Sequence, residues 1–435
     1  MHLTTIAGLG VVVLVILLLL GMNIGLTMAI VGFAGFWTVR GFVPAFGLLK
    51  TIPFSNAMNY SFTVIPLFIL MGQFAFHSGL SADLFEAADK WLGRFKGGLA
   101  MATVAACAGF AAICGSTAAT AATMCVVALP EMRRHGYKDS LCTGSIAAGG
   151  TLGILIPPST GFIIYGIIAE QSIGRLFAAG VFPGIVLALC YIVSIAVQVR
   201  FQPDLAPGTV KYPMKEMLIA LKGTIGMFVL FFGVIGGMFA NLFTASEAAA
   251  IGATLALCFM IIKGKFTWKT FVTALRETVK TSAMVFLILI GAYIFGTFLA
   301  ITRLPMTLAR YVNGLEVNRY VILSIIVVIY MILGCLMDSL AMVTLTVPIF
   351  LPIVKSLGFD PIWYGVLMIM VMEMGLITPP VGMNVYIVAG VAKDVPLMTI
   401  FKGVAPMIVG MVVAIVIVIA FPQLSLWLPG LLFTR

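Results

Sequence analysis

Two short stretches place hydroxyls, glycines and one carboxylate inside otherwise apolar sequence. The first reads Cys114-Gly115-Ser116-Thr117-Ala118-Ala119-Thr120, the second Gly334-Cys335-Leu336-Met337-Asp338-Ser339. Each is followed by a glycine and then a proline pair: Gly153-Ile154-Leu155-Ile156-Pro157-Pro158-Ser159 and Gly375-Leu376-Ile377-Thr378-Pro379-Pro380. A proline pair removes two backbone donors and clashes with the preceding turn. The carbonyls before it therefore lose their helical partners, and a bound cation is one replacement. This is the chemistry of oxygen ligands. Little else is on offer. His2, His77 and His135 are far apart, and the seven cysteines form no C-x-x-C, so no zinc or haem site is expected. The only Gly-Lys pair, Gly264-Lys265, runs into Phe266, which is no P-loop. The chain is expected not to be an enzyme.

The elements that must position these residues follow from composition. Of 435 residues, 25 are basic and 15 acidic, while 62% are hydrophobic. Soluble domains carry nearer a quarter charged residues, so the bilayer sets this architecture. The apolar run Ile6–Leu20 reads as a retained span, and spans follow at 24–39 and 62–78. Residues 81–96 pattern as an amphipathic surface arm, with similar arms at 266–280 and 303–318, and their charges read as solvated faces. Residues 97–130 carry no charge, and 320–354 only Asp338. At about 20 residues per crossing, each is too long for one span and too short for two. Each reads as a re-entrant hairpin whose tip is the polar stretch. Residues 140–169 and 361–392 each read as one span broken at its prolines.

These features superimpose at a shift of 222 residues: Pro130 on Pro352, Gly153 on Gly375, Pro157 on Pro379, Ser116-Thr117 on Asp338-Ser339. The expected fold is thus an all-α polytopic membrane protein of two repeats. Residues 1–200 form the first, 201–222 a cytoplasmic linker and 223–435 the second. Each repeat has an odd number of crossings, so the second is inverted, as in many secondary transporters. With the first hairpin's open end in the cytoplasm, 17 basic residues, among them Lys90, Arg133, Lys211 and Lys263, lie inside. Eight lie outside, among them Arg40, Arg175 and Arg435. The positive-inside rule favours this orientation, with both termini periplasmic. The net charge of +10 is explained by topology, and no basic patch suggests nucleic acid.

The stretch Ala147-Ala148-Gly149-Gly150-Thr151-Leu152 through Ser159 resembles the signature of the large membrane subunit (DctM type) of tripartite ATP-independent periplasmic (TRAP) transporters. So do Glu373-Met374-Gly375 through Asn384, and Phe243-Thr244-Ala245-Ser246-Glu247. The resemblance covers essentially the whole chain. It implies sodium-driven uptake of an organic acid, such as a dicarboxylate or sialic acid, across the bacterial inner membrane. It also implies an elevator mechanism, a periplasmic substrate-binding protein and a small four-helix membrane subunit, here expected on a separate chain. No cofactor is implied beyond sodium as coupling ion. A stand-alone sodium–dicarboxylate symporter of related architecture is the alternative, and a channel the rival from another class.

The sodium site of the first repeat is expected from Ser116, Thr117, Gly150, Gly153 and Pro157, that of the second from Gly334, Asp338, Ser339, Gly375 and Thr378. Substrate contact is expected from Thr120, Ser159, Asn384 and Arg303. A structural reading stands beside each. Tip hydroxyls also cap half-helices and permit close packing. Asp338 can be a cap or a cation ligand, and Arg303 a carboxylate clamp or a snorkelling interfacial residue. An intramembrane carboxylate such as Glu373 is a functional candidate, or else bonds an unwound backbone group. Glu247, near a span end, reads as structural.

Overall fold

The computed structural model describes residues 3–206, 208–209, 212–315 and 317–433, without the Asn313 side chain. His2, Lys211 and Arg435 lie outside the described residues. Every regular element among those described is helical, and eight helices are long and apolar enough to cross a membrane. The chain is a polytopic membrane protein.

Both interrupted stretches are helical hairpins. Gly98–Cys114 ends where Gly115 turns left-handed at φ +63°, and Thr117–Arg134 returns from the Ser116 cap. Arg319–Gly334 and Ser339–Ser356 form the second hairpin, its return helix capped by Asp338. Both later spans are broken. Asp139–Gly150 and Leu152–Leu155 give way at Ile156–Ser159 to Thr160–Ala169, and Pro361–Gly375 gives way to Met383–Val391.

Three boundaries differ from the sequence reading. The arm expected at 266–280 is the first half of a continuous 35-residue helix, Trp268–Thr302, because no glycine or proline interrupts the chain before Gly291. An unanticipated helix, Phe42–Ala57, starts at Gly41, whose φ of +90° admits the sharp entry. The linker expected at 201–222 is shorter, since the next α-helix after Phe201, past a short 3-10 turn at Pro203–Leu205, begins at Met214. The arm at Leu80–Leu92 is also less solvated than expected. Asp83 pairs with Lys263, and the buried Asp89 accepts from Tyr212 at 2.9 Å.

Apolar burial does little to join helices in lipid, where close approach of small residues matters more. The frame is built that way. Ile24–Arg40 packs along Trp268–Thr302, and Val64–His77 along Ala245–Ile262. A Cβ on Gly291 would stand 2.1 Å from the Gly25 carbonyl oxygen, so backbone meets backbone there. Inside the frame, the first half of each hairpin packs on the first half-helix of the following broken span. The second half-helices cross over: Thr160–Ala169 lies on Ser339–Ser356, and Met383–Val391 on Thr117–Arg134. Each hairpin therefore touches a broken span from both halves of the chain.

Candidate functional site

The two hairpin tips converge. At the first, the Ser116 hydroxyl accepts from the Ala119 amide at 3.4 Å, and Thr120 donates to the Ser116 carbonyl at 2.8 Å. The Gly115 carbonyl accepts from both the amide and the hydroxyl of Thr160, at 3.3 and 2.9 Å. The start of one half-helix thus grips the tip. At the second, the Asp338 carboxylate accepts from the Leu340 amide at 3.3 Å. Glu373 joins the tips. Its side chain is fully buried; Oε2 accepts from Thr117 and Oε1 from Ser339, both at 2.8 Å.

The glycines behind the tips set the spacing. A Cβ on Gly153 would stand 2.5 Å from the Ser116 carbonyl oxygen, and one on Gly375 2.5 Å from the Gly334 backbone. These two glycines are equivalent at the 222-residue shift, and each presses its broken span against the hairpin of its own half. Gly150 meets Ala121 and the Asn384 amide in the same manner. That amide donates to the Ala147 carbonyl at 3.1 Å, tying the second broken span to the first.

A cavity of about 320 Å³ opens between tips and frame. Ser116, Thr117, Thr160, Asp338, Ser339 and Asn384 line it from the hairpins and broken spans, and Gln73 and Thr281 from the frame. No described lining residue is Lys, Arg or His, and Asp338 is the one carboxylate among the described lining residues. Oxygen donors of this kind suit a hard cation. A groove of about 300 Å³ shares Gly72, Gln73, Cys114 and Ala119 with the cavity and continues along the first hairpin past Thr123 to Ser81 and Val391.

The chain matches, over residues 11–424, the family described as tripartite ATP-independent periplasmic transporter, DctM component. It belongs to that family. It is 33% identical over 378 residues to the C4-dicarboxylate TRAP transporter large permease protein DctM of Pseudomonas aeruginosa, covering 87% of this chain and 88% of that one. It is 31% identical to the sialic acid TRAP transporter large permease protein SiaM of Vibrio cholerae, over 86% and 87%. To the isethionate TRAP transporter permease protein DctMQ of Oleidesulfovibrio alaskensis it is 32% identical, over 87% of this chain and 60% of that one. Among solved structures the fold is similar to the YdaH transporter of Alcanivorax borkumensis, with TM-score 0.61 and 16% identity over 88% and 90% of the two chains. This is a likeness of fold alone.

In this TRAP large permease, five candidate residues share the cavity wall: Ser116, Thr117, Asp338, Ser339 and Asn384. Gly150, Gly153, Gly334 and Gly375 stand behind it as points of close approach. The others lie off the wall. Thr120 is bonded to Ser116, and Thr378 donates to the Met374 carbonyl at 2.6 Å. Ser159 is fully buried, donating to the Ile154 carbonyl and capping the half-helix after the break at Phe162, with Pro157 inside that break. Arg303 is not brought to the cavity. It is exposed at the left-handed junction between Trp268–Thr302 and Leu304–Asn313, its φ +55°. Glu373 bonds tip hydroxyls rather than the unwound backbone. Glu247 closes a capping box with Thr244, the structural role read for it. Gln73, Thr160 and Thr281 were missed, since single polar residues in apolar runs carry no periodic signal.

Proposed function

We propose that this permease imports a small organic acid coupled to sodium entry. A periplasmic binding protein delivers the acid, and a separate small four-helix membrane subunit stands beside the chain. The observation that carries this reading is the convergence of both tips and both breaks on one cavity without a basic side chain. An anion there is met by the N-terminal ends of Thr117–Arg134 and Ser339–Ser356, where amides and the positive dipole end face it. Sodium supplies the remaining positive charge, held by the hydroxyls of Ser116, Thr117 and Ser339, the Asp338 carboxylate and carbonyls near the breaks. Relatives named for C4-dicarboxylate, sialic acid and isethionate support an anionic substrate.

The two halves act as inverted repeats in the inner membrane, with both termini periplasmic. Support comes from the cross-over packing, from the equivalence of Gly153 and Gly375, and from the 17-to-8 split of basic residues. Hairpins and broken spans move as one block against the frame, and the groove toward Ser81 and Val391 is the cytoplasmic exit. Reconstitution into liposomes with an inward sodium gradient tests the whole reading. The chain with its small subunit and a loaded binding protein should take up the acid, and removing either protein or the gradient should abolish uptake. Uptake by the chain alone would make it a stand-alone symporter. Uptake indifferent to sodium would remove the coupling.

A further inference from the structure

Glu373 divides its carboxylate between the two halves of the protein. Thr117 and Ser339 are equivalent at the 222-residue shift, and each hydroxyl donates a hydrogen bond to a different oxygen of Glu373. The position equivalent to Glu373 in the first half is Thr151, which is neutral and bonds the Tyr191 hydroxyl at 2.9 Å. The pseudo-symmetric pair of hydroxyls is thus served by one asymmetric acid.

Three facts constrain what that acid does. Glu373 is fully buried and does not line the cavity, whereas Thr117 and Ser339 do. No ion pair to Glu373 exists among the described residues. A second carboxylate, Asp338, is the neighbour of Ser339 in sequence. A buried anion without compensation is costly. A hydroxyl that donates to a carboxylate keeps its lone pairs for another partner, and that bond makes its oxygen a stronger ligand, as outer-sphere carboxylates do for metal-bound side chains.

We propose that Glu373 is a positioning residue common to two cation sites. It orients and polarises one hydroxyl ligand in each half, and the bound cations offset its charge through those hydroxyls. This rests on the sodium coupling proposed above. Occupancy of one site stabilises the arrangement that the other requires, because both hydroxyls lean on the same carboxylate.

Thermal unfolding of the purified full-length chain, titrated with sodium chloride against choline chloride, tests this without transport. In Glu373→Gln one amide edge must donate to a hydroxyl, which takes up one of that hydroxyl's two lone pairs, and the charge is lost. The sodium concentration giving half-maximal stabilisation should rise about 10-fold or more, and the steepness of the titration should fall toward a Hill coefficient of one. Stability in choline should remain at or above wild type. Thr117→Val and Ser339→Ala, which keep the carboxylate, should each raise the sodium midpoint. Combined with Glu373→Gln, each should add less than it does alone. They decide the matter if Glu373→Gln fails to fold. Wild-type midpoints in all three overturn the proposal while leaving sodium coupling intact. A wild-type chain stabilised equally by sodium and choline overturns the coupling and this inference together.

Discussion

At Gly153 a hydrogen atom is all that separates the first broken span from the first hairpin tip. A methyl there would stand 2.5 Å from the Ser116 carbonyl oxygen and 2.8 Å from the Thr120 hydroxyl. Overpacking of this kind costs roughly 1–3 kcal/mol. Gly153→Ala should lower the unfolding temperature and abolish uptake, because the tip must retreat from the broken span. Gly296→Ala is the matched control: nothing stands within 4 Å of its Cβ, and helix propensity favours alanine by up to about 1 kcal/mol. If both variants behave as wild type, the tip is not held by this contact. Residue chemistry was legible to this depth. Ser116, Thr117, Asp338, Ser339 and Asn384 were nameable because polar side chains next to glycines and prolines are conspicuous in apolar sequence. Arg303 was named by charge alone, and charge says nothing about distance. The partners of Glu373 needed the fold, since they lie 256 and 34 residues away.

Among the elements, the far end of the first hairpin is fastened by one guanidinium to the start of the first broken span and to the loop that follows the second. Arg133 bonds Asp139 through Nε and Asp394 through Nη2, both at 2.7 Å. The pair holds the Asp394 carboxyl below its ordinary value and raises Arg133. A depressed carboxylate contributes stability above its unfolded pKa and loses it as pH falls through the folded one. Arg133→Gln should therefore unfold at a lower temperature than wild type at neutral pH. The gap should close below about pH 4, near the ordinary aspartate value. A gap that persists unchanged in acid would mean that the arginine acts through packing. Breaks and hairpins could be read from sequence because prolines and run lengths mark them. The helix Phe42–Ala57 and the continuity of Trp268–Thr302 could not. Alternating charge looks the same on a surface arm as on the solvated first turns of a span.

At the scale of the molecule, the second hairpin leans on the frame through a small apolar cluster. Met337, Ala341 and Leu345 pack there with Met28, Phe295 and Phe298, and the Thr344 hydroxyl lies 4.0 Å from the Met28 sulfur. The block movement proposed above must part these surfaces. Cysteines at Met28 and Thr344, in a chain freed of its seven native cysteines, should arrest uptake when cross-linked and restore it on reduction. Full uptake by the cross-linked protein would rule out movement of this hairpin against the frame. The wall of the cavity between them has one more consequence. With Asp338 on that wall and no basic side chain among the described lining residues, the binding proposed above sets an acid arriving without cations beside a carboxyl group already there. On that proposal, leak is opposed at the cavity itself, before any gate closes. The coupling we propose is guarded by the arginine that the cavity wall lacks.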